Sequence, residues 1–136
     1  MKVFLDTNVL VSAFGTRGVC TDVLQRVLDE HQLVTGEIVL EELRSVLRRK
    51  FAVSAERVSR VERFLRQYQI EPRPQSLPDL KLKERNDLLV VASAINAGAE
   101  VMITGDAEIL QLKNAGIRFL SPRDFWMLTS PKDKSH

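Results

Sequence analysis

Cysteine and histidine are almost missing from this chain. Cys20 is the one thiol, so no intramolecular disulfide can form, and with only His31 and His136 beside it there is no Cys/His cluster of the zinc type. No apolar run approaches the roughly 20 residues that span a bilayer. The opening Met-Lys-Val-Phe-Leu-Asp stretch places an acid at Asp6, where a cleavable leader would carry an apolar region. These absences set aside thiol, zinc and membrane chemistry and make the cytoplasm the expected compartment. Aromatics are few, six Phe with one Tyr and one Trp. Most fall inside apolar stripes, so no platform for stacking nucleobases is evident. Internal repeats and low-complexity tracts are lacking as well.

What is present fits one compact domain. A chain of 136 residues, 44% hydrophobic and 28% charged, is long enough for a single core and too apolar for disorder. The domain is expected over residues 1–129, with a flexible tail at 130–136. The net charge is only +2, but it is unevenly spread. Between Arg44 and Arg73 lie nine basic residues against three acids, a local balance of +6 that leaves the remainder at −4. A basic arm beside an acidic body suits an anionic polymer held near a cation site. It equally suits a solvated, arginine-rich helix face.

Short apolar runs alternate with helical periodicity. Val3-Phe4-Leu5 reads as a strand buried on both faces, as does Val101-Met102-Ile103, and weaker strands are expected near Leu33-Val34, Ile70 and Ile117–Phe119. Helices are expected over Val9 to Phe14, after a Thr21 cap, over 37–50, over 54–68 behind a Ser54 cap, over Leu88 to Ala97 up to Gly98, over Ala107 to Leu112, and from Ser121-Pro122 onward. Pro72, Pro74 and Pro78 make Glu71 to Lys83 a connection. The expected fold is therefore α/β, a three-layer sandwich with a parallel sheet of about five strands and helices on both faces. Sites in such folds gather at the carboxyl ends of the strands.

Asp6 and Asp106 each stand where a buried strand gives way to a polar cluster, a place that also suits a helix cap. Glu42 shares a helical face with Val39, Leu43 and Val46, whereas Glu41 falls on the charged side with Glu37, Arg44 and Arg48. A carboxylate turned toward the core needs a proton, a cation or a metal, and an arginine partner is the plain alternative. Asp87 opens the most apolar helix, where free N–H groups favour an anion and where capping with Asn86 is the alternative. Glu84 and Asp124 are further acids with solvated or capping alternatives. If Asp6, Glu42, Asp87 and Asp106 converge, each pair about 4 Å apart repels by about 4 kcal/mol at an effective dielectric of 20. Only protons or cations could hold them together, and an all-oxygen set selects Mg²⁺ or Mn²⁺. That chemistry is metal-assisted phosphoryl transfer.

Asp6-Thr7-Asn8-Val9-Leu10, Glu41-Glu42-Leu43 with Val46-Leu47 on the next turn, Asp87, and Thr104-Gly105-Asp106 together resemble the PIN domain family. Within it the chain is most similar to the VapC-like toxins of toxin–antitoxin systems. The order and spacing cover nearly the whole chain. The resemblance implies a Mg²⁺- or Mn²⁺-dependent endoribonuclease with Asp6, Glu42, Asp87 and Asp106 as the acidic metal set. It also implies Asn8 and Thr104 as polar neighbours that orient those acids. The family often carries an aspartate where this chain has Glu84, so that position is a departure. RNA is the implied substrate, with Arg44, Arg48, Arg57, Arg60 and Arg63 placed to hold its backbone. An antitoxin protein and a homodimer are the implied partners. Two other classes stay open: a catalytically silent RNA- or protein-binding module of the same fold, and a different Mg²⁺ hydrolase built on an aspartate nucleophile. Against the latter, Asn8 stands where a second acid is expected, and Gly15-x-x-Gly18 lacks the lysine of a phosphate-binding loop.

Overall fold

A computed structural model describes residues 1–16 and 18–130. Its strands are β1 (Lys2–Leu5), β2 (Gln32–Gly36), β3 (Gln69–Glu71), β4 (Val101–Ile103) and β5 (Arg118–Leu120). Its helices are α1 (Thr7–Gly15), α2 (Val19–Glu30), α3 (Glu37–Arg49), α4 (Ala55–Leu65), α5 (Arg85–Asn96), α6 (Ala107–Leu110) and α7 (Pro122–Thr129). The expected six residues 131–136 of the tail lie outside the described residues. Ser130, the first residue of that stretch, is fastened: its hydroxyl accepts from Arg26 at 3.1 Å.

The five strands form one all-parallel sheet in the order β3-β2-β1-β4-β5. Two crossovers from β1 run outward through α1–α2 and α3–α4, and the chain then returns across the sheet through α5 to β4. Right-handed connection puts α1 to α4 on one face and α5 on the other, which is the expected three-layer sandwich. Because both faces are covered, the central strands are apolar wherever they are buried: Val3, Phe4, Leu5, Met102 and Ile103 are 0% exposed. Each such side chain contributes roughly 1.5–3 kcal/mol of burial. The direction of the connections reverses between β1 and β4, so the carboxyl ends of those two strands form the natural crevice.

Local chemistry explains the element ends. Ser54 accepts from the Arg57 amide at 3.2 Å and starts α4. Gly98, at φ +74°, turns the chain out of α5 in a conformation that suits glycine. At Gly36 the reason is space, since an added Cβ would meet Ser93 Cβ of α5 at 3.2 Å. Thr21 departs from expectation. The helix begins three residues earlier, capped by Gly18, and the Thr21 hydroxyl donates back to the carbonyls of Ala13 and Thr16 at 3.1 and 2.8 Å. Threonine favours hydrogen bonding to nearby backbone in either role, so the sequence does not distinguish them.

Candidate active site

β1 ends in a buried carboxylate. The Asp6 amide still donates to Ile103 O at 3.0 Å, continuing the β1–β4 pairing, while its side chain caps α1 by accepting from the Thr7 amide at 2.7 Å. Its second oxygen accepts from Thr104 Oγ1 at 2.6 Å and from Asn8 Nδ2 at 3.5 Å. Capping is thus real, but it uses one oxygen and leaves the other aimed at the end of β4. Burial, with the charges of Glu42 and Asp87 adding to it, pushes the Asp6 carboxyl up to about 6 despite the bonds from Thr104 and Thr7.

Thr104 joins the two strand ends. Its one hydroxyl donates to Asp6 and accepts from the Asp106 amide at 3.0 Å. Asp106 spends Oδ1 on capping α6, accepting from the amides of Glu108 and Ile109 at 2.8 and 3.2 Å. Asn8 completes the link, accepting from the Gly105 amide at 3.2 Å.

Glu42 faces this junction from α3, as its helical stripe requires. One carboxylate oxygen accepts from Thr7 Oγ1 and the other from Asn86 Nδ2 at 2.9 Å. The arginine alternative is not realised among the described residues. Glu41 points away and pairs with Arg73 at 2.8 Å. Asp87 lies in the first turn of α5 rather than at its cap, which Glu84 occupies without a side-chain capping bond. Burial raises the pKa of Asp87, and the charges of Asp106, Glu42, Glu108 and Glu84 raise it further. Asp6, Glu42, Asp87 and Asp106 all line one cavity of about 480 Å³, with Thr7 and Asn8 between them.

Glu84 and Asp124 do not line that cavity. Glu84 is exposed and acts on Asp87 only through its charge. Asp124 is an exposed residue in the first turn of α7. Thr7 and Asn86 were not singled out from sequence. Their adjacency to Asp6 and Asp87 was the available signal, but their shared partner Glu42 lies 35 and 44 residues away.

The basic arm is partly neutralised. Arg44 forks onto Glu62 at 2.8 and 2.9 Å, Arg66 joins Glu62 and Glu37, and Arg60 pairs with Glu56 at 3.3 Å. Among the described residues no ion pair engages Arg48, Arg57 or Arg63. Lys50 and Phe51 were not expected at the cavity, yet both line it. Phe51 is 53% exposed and is an exception to the expectation that most aromatics sit inside apolar stripes.

The donor set suits a hard divalent cation: the four acids offer only oxygen, and burial, with the charges of the neighbouring acids adding to it, raises the pKa values of Asp6 and Asp87. As the side chains stand, no group of three or more His, Cys, Asp or Glu among the described residues is gathered closely enough to hold a metal. The four acids nevertheless line the same cavity.

An acidic crevice at the switch point of an all-parallel sheet defines a class of α/β proteins with a polar site at the strand ends. The chain belongs to the PIN domain family, whose model matches residues 2–108. The curated proteins contain no match to it. Among solved structures, it is similar to VapBC2 from Rickettsia felis bound to a DNA fragment from their promoter, at 19% identity over 89% of this chain and 98% of that one, with a TM-score of 0.68. VapBC-1 from nontypeable Haemophilus influenzae matches at 18% identity over 90% and 99%, TM-score 0.61. FitAcB from Neisseria gonorrhoeae matches at 17% over 89% and 98%, TM-score 0.60. These similarities establish the fold.

Proposed function

We propose that this PIN domain is a Mg²⁺- or Mn²⁺-dependent endoribonuclease and the toxin of a toxin–antitoxin pair, working in the cytoplasm. The observation that carries the nuclease reading is the convergence of Asp6, Glu42, Asp87 and Asp106 on one cavity at the carboxyl ends of β1 and β4. Similarity to VapBC and FitAcB assemblies supports an antitoxin partner and a homodimer. Among the described residues no helix is long and apolar enough to cross a membrane.

The four acids would hold the cation, which supplies the charge that acidifies an attacking water and offsets the negative charge developing on the leaving oxygen. Thr104 and the Thr7 amide fix the direction of the Asp6 lone pairs, while Thr7 and Asn86 do the same for Glu42. Asp87 accepts no hydrogen bond among the described residues, so its charge is the least compensated and the most available. Arg48, Arg57 and Arg63, which have no ion pair among the described residues, supply backbone affinity with little sequence information.

Calorimetric titration with Mn²⁺, paired with cleavage of single-stranded RNA by the same samples, tests this reading. Wild type should bind and cleave, and Asp106→Asn should lose both. A wild type that binds no metal would leave the acids as separate caps. The unclosed acid group would then favour the silent binding module.

A further inference from the structure

The cavity continues beyond the acids. Along α3 its wall is Glu42, Val46 and Lys50, spaced four residues apart and so on one face, and α1 faces it with Val11 and Gly15. From Glu42 to Lys50 is eight residues, about 12 Å at 1.5 Å per residue. The groove thus runs from four carboxylates, past an apolar floor, to a lysine and an exposed phenylalanine.

That far end is built rather than frayed. After α3 the chain reverses: Val53 N donates to Leu47 O at 3.0 Å across the turn, and Ala52 takes φ +50°, a left-handed conformation uncommon for a residue with a Cβ. Val53 then packs against the core. With Val53 turned inward, Phe51 is the residue left at the cavity rim, and it is the one aromatic among the exposed large hydrophobics of the described residues. Arg48, Arg49 and Lys50 beside it have no ion pair among the described residues, unlike Arg44 and Arg66 on the neighbouring surface.

We propose that Lys50 and Phe51 form a nucleobase subsite of this groove: Phe51 stacks on a base of single-stranded nucleic acid and Lys50 meets an adjoining phosphate, while the strand runs on toward the acids. The subsite rests on the nucleic-acid reading of the same cavity. A flat apolar ring flanked by unpaired cations matches a base on a polyanion, since every base has a π-face and stacking tolerates any sequence. An apolar peptide would use the ring but leave the cations without partners.

The test is fluorescence anisotropy with short single-stranded RNA oligonucleotides, each made abasic at one position, with Ca²⁺ in place of Mg²⁺. Wild type should show one position, a short way along the strand from the cleaved phosphate, where base removal weakens binding about tenfold. Phe51→Ala should bind the intact oligonucleotide about tenfold more weakly and ignore that abasic position. Phe51→Tyr should behave as wild type. Lys50→Gln should flatten the salt dependence while keeping the abasic response. Equal binding by wild type and Phe51→Ala would overturn the subsite even if metal-dependent cleavage stands. Conversely, a Phe51-dependent abasic response without any cleavage would support the subsite and sink the nuclease. A wild type that binds no RNA, with Phe51 needed only for a protein partner, overturns the proposal.

Discussion

Asp6 keeps a carboxylate 6% exposed beside other acids, and its pKa of about 6 measures the cost. A carboxyl whose pKa rises on folding favours the folded state when protonated. That contribution is complete below the ordinary value of 3.8 and is lost as pH climbs through 6. At about 1.4 kcal/mol per pH unit, the ionised group costs the metal-free protein on the order of 3 kcal/mol. Asp6→Asn should therefore abolish cleavage yet raise metal-free stability by about 1–3 kcal/mol at pH 7.5, a gain that fades toward pH 4. Urea denaturation at the two pH values reads it, and a variant less stable than wild type at pH 7.5 would mean the charge is well compensated. Glu42→Gln should lower RNA cleavage on the order of 100-fold, because Thr7 and Asn86 aim it into the cavity. Glu41→Gln loses only its exposed pair with Arg73 and should cleave within about twofold of wild type, as initial rates would show. Both carboxylates were legible from spacing, since a period of 3.6 separates the faces. Thr7 and Asn86 were not, because a short polar side chain reads alike as cap, turn former or acid-orienting donor until its distant partner is in place.

At the scale of elements, β2 carries a flaw that can be measured. Thr35 is wholly buried, and its hydroxyl is the one buried side-chain oxygen or nitrogen among the described residues without a partner. Thr35→Val keeps the shape and removes the unsatisfied group, so the variant should gain about 1 kcal/mol in denaturant unfolding. A loss would reveal a hidden partner for the hydroxyl. Between α3 and α4 the ion pairs act with the opposite pH sense to Asp6. Arg66 holds Glu37 below its usual range, and Arg44 and Arg66 hold Glu62 down against the opposing effect of burial. Their contribution is present at neutral pH and is lost as the solution is acidified through the glutamate range. The strands and the long helices were legible because apolar runs and stripes report burial directly. Ion pairs such as Arg44–Glu62 were not, since a charge run says nothing about which charges meet across a helix pair.

For the whole molecule, charge segregation sets the expected response to salt. Arg57→Gln, Arg60→Gln and Arg63→Gln combined should weaken RNA binding and reduce the slope of log affinity against log salt by about 1.4, at about 0.7 for each single-strand phosphate contact of Arg57 and Arg63, since Arg60 already pairs with Glu56. Arg44→Gln should change the slope little, because its guanidinium already forks onto Glu62. Anisotropy titrations at several salt concentrations separate the two, and an unchanged slope in the triple variant would return α4 to a solvated face. The bond from Thr104 to Asp6 spans 98 residues of sequence, and β4 can join the sheet only beside β1, which is synthesised far ahead of it. During synthesis, then, the first aspartate leaves the ribosome long before its partners exist. The nascent chain holds only scattered acids until residue 106 has emerged, so whatever the assembled cluster does is deferred until β4 and the start of α6 have been made.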